Sequence, residues 1–113
     1  MPITIQVDDK PPYKQSPASE AERASQEKRR RSLKEKARET FDLPLPLISN
    51  CSFSIRYSRK NGRSDSANII GGIADALQGV VIKNDRQITE INYAEWRGDR
   101  DWYEVIITEL TRT

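Results

Sequence analysis

Cys51, Phe53, Ile55 and Tyr57 alternate with Ser52, Ser54, Arg56 and Ser58, and this period of two is the clearest strand signal in the chain. Ile3, Ile5 and Val7 alternate with Thr4 and Gln6 in a shorter, half-buried strand. Across residues 8–17 the pattern lapses, and Pro11, Pro12 and Pro17 mark an extended loop. Ser19 and Glu22 have the S-x-x-E spacing of a capping box, predicting a helix that runs to Thr40 or Phe41. Leu33, Ala37 and Phe41 form its apolar stripe, while residues 25–32 are polar all round, either a solvated projection or a surface for an acidic partner. Pro44 and Pro46 end any helix. A second helix is predicted over residues 66–78, with Ile69, Ile70, Ile73, Ala74 and Leu77 as its apolar face and Gly79 as its stop. Gly71 and Gly72 each cost that helix roughly 1 kcal/mol relative to alanine, and close approach by another element would account for them. Residues 80–82 read as a short extended run. Residues 88–96 read as a strand, followed by a tight loop at 97–101 and a hairpin partner at 102–110.

The resulting order of strand, helix, strand, helix, strand, strand predicts an α+β fold with a mixed sheet. A single domain over 1–113 is expected: strand and proline-rich loop at 1–18, basic helix at 19–41, and a core carrying an acidic site at 50–110. The chain has 113 residues, 35% hydrophobic and 32% charged, so a lone copy builds a modest core and a homodimer is expected. A net charge of +2 is mild, so the distribution of basic residues matters more than their sum. There is no histidine, which excludes imidazole as general base or metal ligand from this chain. Cys51 is the sole cysteine, excluding an intrachain disulfide and a multi-cysteine zinc site and fitting a reducing compartment. The apolar runs are too short to span a bilayer, and residues 1–10 lack the pattern of a signal peptide. A soluble, cytoplasmic protein is expected.

Two carboxylates stand at ends of predicted elements. Asp65 opens the second helix just after a basic loop containing the turn dipeptide Asn61-Gly62, and Asp85 follows the short run after that helix. Carboxylates aimed into a groove can hold Mg²⁺, a hard cation that favours oxygen ligands and generates hydroxide beside a phosphodiester. Equally, Asp65 suits a helix cap and Asp85 suits a turn.

The same region carries a longer pattern. Asp65 and Asn68 fit the first and last positions of D-x-D-N at a helix start. Asp75-Ala76-Leu77 and Gly79-Val80 fit D-A-L-x-G-V, and Asn84-Asp85 with Gln87 fits D-D-x-Q before a strand, with Asn84 replacing the first acid. Glu90 and Ile91 continue the likeness into the strand. Residues 63–91 thus resemble the central block of the RusA family of Holliday junction resolvases (crossover junction endodeoxyribonucleases), which also carries a lysine three residues after the Asn. The resemblance implies a RusA-like fold and a homodimeric, Mg²⁺-dependent endonuclease. Such an enzyme binds four-way DNA junctions and nicks opposing strands in recombination or repair, typically in a phage or prophage setting. Asp65 and Asp85 would then be the surviving catalytic, metal-holding acids. Two further departures from the family are serious: Ala67 replaces the second acid of D-x-D-N and Gly71 the lysine. Each loss can cost orders of magnitude in rate.

Several neighbours bear on compensation. Asp75 lies about 15 Å along the helix from Asp65 at 1.5 Å per residue, too far to share one ion and better suited to a structural role. Glu90 reaches Asp85 if the strand folds back, Asn84 offers a neutral oxygen, and Arg63 or Arg86 would replace the missing cation. Arg56, Arg59, Lys60 and Arg63 lead into the acidic site and are the stronger DNA-binding candidates. Lys28, Arg29, Arg30 and Arg31, with Lys34, Lys36 and Arg38, suit phosphates or a solvated face laced by Glu27, Glu35 and Glu39. Trp96, Trp102, Tyr93 and Tyr103 suit hairpin core or a dimer interface better than base stacking, and Cys51 suits inert packing. Three readings stay open: an active resolvase with an altered metal site, a RusA-fold protein that binds branched DNA without cutting it, and a small dimeric interaction module.

Overall fold

The computed structural model describes residues 2–110. Its elements are β1 (Ile3–Val7), α1 (Glu20–Thr40), β2 (Cys51–Arg59), α2 (Ser66–Leu77), a 3-10 turn (Asp85–Gln87), β3 (Ile88–Arg97) and β4 (Trp102–Glu109). The four strands form one mixed sheet in the order β1-β4-β2-β3. β2 and β3 are parallel, while β4 runs antiparallel to both β1 and β2. The expected α+β class is the observed one.

Burial explains the strand order. β2 buries Cys51, Phe53, Ile55 and Tyr57, and β4 buries Tyr103, Val105 and Ile107, so these two strands take the centre. β3 exposes Thr89, Glu90, Ile91 and Asn92 in succession, and a strand that cannot fill a core belongs at an edge. Both helices cover one face. Leu33, Ala37 and Phe41 of α1 and Ile69, Ile73, Ala76 and Leu77 of α2 join the inward residues of β1, β2 and β4 in a single core. The opposite face carries Ser52, Ser54 and Arg56 of β2 beside Glu104 and Ile106 of β4, and no described helix covers it.

The expected hairpin between residues 88–96 and 102–110 does not form, because β2 lies between its two strands. α2 is the crossover that makes β3 parallel to β2, and the chain then arches over the end of β2 to enter β4. The arch is tied down by Gly98 N donating to Arg59 O (3.0 Å), Ser58 Oγ donating to Arg100 O (2.9 Å) and Lys60 N donating to Asp101 Oδ1 (3.0 Å). Trp96 and Trp102 meet edge to face, centroids 5.6 Å apart, with Ser58 their register partner on the strand between. Tyr103, by contrast, is core.

Two further expectations change. Residues 80–82 are not a strand but a tight turn in which the amides of Val80, Val81 and Ile82 all donate to Leu77 O. Gly79, at φ +84°, starts it, and Val81 and Ile82 fill the core from within it. The capping box is also only half made. Ser19 Oγ accepts Glu22 N at 3.1 Å, but the Glu22 carboxylate accepts Ala18 N at 3.0 Å and the Tyr13 hydroxyl at 2.9 Å. Those bonds, the Ala18 amide foremost, hold the Glu22 carboxyl below the ordinary carboxylate range.

Tyr13 belongs to a strap, residues 10–15, that crosses α2. Lys14 N donates to Asn68 O at 2.8 Å. A β carbon at Gly72 would stand 2.6 Å from the Pro12 and Tyr13 backbone, so the expected close approach at the glycine pair is observed.

Gln87 ties the segment that follows α2 to the one that precedes β2. Its Nε2 donates to Leu47 O (2.8 Å) and Ser49 O (2.9 Å), and its Oε1 accepts Lys83 N (2.9 Å) and Asn84 N (2.8 Å). Gln87→Ala leaves these backbone groups without partners and should lower unfolding stability by about 1.5 kcal/mol, read as a lower urea midpoint at unchanged m-value. An unchanged midpoint would show that water replaces the amide at no cost.

Candidate nucleic-acid interface

Asp65 occupies the cap position of α2, yet its side chain makes no capping bond. Both carboxylate oxygens instead accept Asn68 Nδ2, at 3.1 Å each. The carboxylate lines an open groove of about 370 Å³ together with Lys10, Arg29, Arg59 and Arg63. With Arg59 paired to Glu95, Lys10, Arg29 and Arg63 still outweigh the one acid in the lining and make the groove attractive to an anion, and the first turn of α2 adds the partial positive charge of a helix start.

Each cation arrives by a different route. Lys10 comes on the strap, and Arg29 comes from α1, its guanidinium 5.5 Å from the Tyr13 ring centroid. Arg63 comes from the loop after β2 and is exposed. Arg59 is more strut than free cation. Its Nε meets Glu95 Oε2 at 2.9 Å, with both side chains largely buried, and its guanidinium also donates to Gly62 O. Glu95 further accepts the Ser64 and Tyr93 hydroxyls, both at 2.8 Å. Burial pushes the Glu95 carboxyl up, but the bonds from Tyr93, Ser64 and Arg59 outweigh it and hold the group below its ordinary value. Burial also raises Tyr93, with Glu95 adding to the effect. This network fixes residues 60–64, the loop that aims Arg63. Beside the groove, burial and then Asp101 push the Tyr57 phenol up to about 12, so it stays a neutral donor.

The remaining site residues lie elsewhere. Lys60 is exposed at the start of the same loop, its amide held by Asp101. Arg56 points from the opposite face of the sheet, 5.5 Å from the Trp96 ring centroid, and does not enter the groove. Asp85, Asn84 and Arg86 stand beyond the far end of α2, a helix of 12 residues and so roughly 18 Å long. Asp85 N donates to Gln78 Oε1 at 3.3 Å, and Gln78 Nε2 reaches Asp75 Oδ1 at 3.5 Å. The Gln78 side chain thus links Asp85 to Asp75, itself 3.6 Å from Arg30, and not to Asp65. Asn84 Oδ1 accepts Arg86 N at 2.9 Å as the cap of the 3-10 turn. Glu90 sits on β3 opposite Ser52.

One chain thus gathers Asp65, Asn68, Arg59 and Arg63, and keeps Asp85 and Arg86 apart from them. Among the described residues no group of three or more acids or cysteines is placed to hold a metal ion. Asp65 alone, with both oxygens engaged by Asn68, does not form a protein cage for Mg²⁺, although Mg²⁺ sites often need only one or two carboxylates plus substrate phosphates. Lys10 and Tyr13 were not legible as site residues in the sequence. The one local signal was the stiff Pro11-Pro12 pair between them.

A two-layer α+β protein, with a cationic groove opening on one carboxylate at a helix start, is the class these features define. Residues 11–108 match the family model described as Endodeoxyribonuclease RusA, and the chain belongs to that family. The match runs from the strap to β4 and supports a nuclease function of the Holliday junction resolvase type. No curated protein matches the chain. No helix among the described residues is long and apolar enough to cross a membrane.

Proposed function

We propose that this chain binds four-way DNA junctions and cleaves them with the help of Mg²⁺, with Asp65 standing at the reacting phosphate. The observation that carries this reading is the groove itself, in which one carboxylate lies among Lys10, Arg29, Arg59 and Arg63 in a chain of the RusA family. The cations hold phosphates by charge, independently of sequence. Mg²⁺ would be held by Asp65 and by phosphate oxygens of the DNA, supplying charge stabilisation and a more acidic bound water. Arg63 and Arg29 orient the backbone, and Asn68 holds the carboxylate in place through the bonds already described. A homodimer belongs to the same reading. The sheet face without a described helix, with Ile106 and the Trp96–Trp102 pair, offers a surface for a second copy, and two grooves would serve two opposing strands. The proposed setting is cytoplasmic recombination or repair, of the kind found in phages.

A second reading is binding without cleavage. Ala67 in place of the second acid and the separation of Asp65 from Asp85 favour it.

Gel-shift and nicking assays on a synthetic four-way junction, first with Mg²⁺ and then with Mn²⁺, test both. Preference for the junction over linear duplex, paired nicks, and a log–log salt slope lowered by about one in Arg63→Ala are expected. Tight binding with no nick in either metal establishes the second reading. No preference for the junction at low salt removes both.

A further inference from the structure

The strap is held on α2 through its backbone, and while Pro11 and Pro12 are buried and Tyr13 is bonded to Glu22, the Lys14 side chain stays exposed. Lys14 N donates to Asn68 O, and the same Asn68 holds the Asp65 carboxylate through its side-chain amide. Lys14 is therefore tied to the residue that orients the acid of the groove. Its side chain rides over Gly71, where a β carbon would stand 3.4 Å from Lys14 Cβ and 3.5 Å from Lys14 Cδ. Lys14 fills the space that a side chain from position 71 would enter. It is exposed, and its cleft holds two acids, Glu27 and Asp75, against Arg23, Arg30 and Lys14 itself, with Asp75 paired to Arg30. That cleft, about 460 Å³, shares Tyr13 and Gln15 as walls with the groove around Asp65. The strap thus lies between two adjoining hollows and carries a cation over their shared wall.

We propose that Lys14 is a phosphate-contacting cation of the DNA track, delivered by the strap to the place where position 71 of α2 bears no side chain. A lysine on the helix at 71 and the lysine at 14 would compete for one volume and repel each other. Glycine at 71 lets the charge come from the strap. The fixed backbone of Lys14 limits the freedom lost when its ammonium meets a phosphate. The assignment rests on the branched-DNA reading.

The test is junction affinity against salt for the unaltered chain, Lys14→Arg, Lys14→Ala, and the double variant Lys14→Ala with Gly71→Lys, with melting temperatures alongside. Loss of one phosphate contact lowers the salt slope by about 0.9, so the affinity ratio between about 50 and about 200 mM salt should shrink by about 3.5-fold in Lys14→Ala. Lys14→Arg should keep the slope, the double variant should regain it, and the exposed position should leave the melting temperature unchanged. Junction binding with an unaltered slope in Lys14→Ala overturns this assignment and leaves the DNA reading standing. A slope lost in Lys14→Ala and not regained in the double variant overturns the shared placement with position 71. No junction binding by the unaltered chain overturns the DNA reading and this assignment together.

Discussion

Gly72→Ala is expected to destabilise the protein by about 2 kcal/mol, while Gly71→Ala one residue away leaves it unchanged or slightly more stable. Alanine at either position favours the helix by about 1 kcal/mol. At 71 the new methyl meets only the flexible Lys14 side chain at 3.4 Å, so the helix preference decides the sign. At 72 it meets Pro12 C, Pro12 O and Tyr13 Cα, all at 2.6 Å and all backbone. Overpacking of that kind costs about 3 kcal/mol at the upper end of its usual range, which outweighs the gain. α2 cannot retreat, since Ile73, Ala76 and Leu77 are seated in the core, so the strap must lift. Junction binding should weaken with it, because Lys10 and Lys14 ride on the strap. Urea unfolding of the two variants side by side decides the matter, and equal midpoints would show that the strap yields freely.

Asp65→Asn separates chemistry from binding. Asp65 is the acid among the four cations lining its groove, so neutralising it makes the groove more positive and should tighten junction binding in the absence of metal. Nicking should fall by at least about a hundredfold, because charge stabilisation at the reacting phosphate is lost. Single-turnover cleavage and equilibrium binding, measured on one preparation, give the two numbers. Loss of both together would assign Asp65 a structural role at the start of α2. Unchanged nicking would place the chemistry elsewhere in the chain.

Strands with one buried face were plain in the sequence. β1 and β2 alternate without interruption, and Ser19 marks the start of α1. The neighbours of each strand were not plain, because alternation is a local property and sheet order is not. The short loop between β3 and β4 suggested a hairpin, yet the burial of Tyr103, Val105 and Ile107 sends β4 to the centre and the polarity of β3 sends it to the edge. Three apolar residues at 80–82 gave the signal of a strand, while the positive φ at Gly79 folds them into a turn. For the site, Asp65 and Arg63 were legible because they adjoin in sequence and share one groove. The rise per residue that separates Asp75 from Asp65 applies with equal force to Asp85, which the turn after α2 keeps beside Gln78. Lys10 and Lys14 lay in a segment without periodicity. Their position is set by the backbone contact at Gly72, which leaves no pattern in the residues that carry the charge.

The arch over β2 gives that strand a mechanical character that its hydrogen bonds to β3 and β4 would not give alone. Ser58, Arg59 and Lys60 are each bonded to the arch, so the end of β2 cannot fray unless the connection between its two neighbours opens with it. Strand ends normally open locally at little cost. Here the opening is coupled to the whole sheet, and the basic loop at 60–64 departs from a clamped point. A long flexible approach to the groove is thereby replaced by a short lever whose fulcrum is fixed, and the reach of Arg63 toward a bound strand is set by the fold of the sheet.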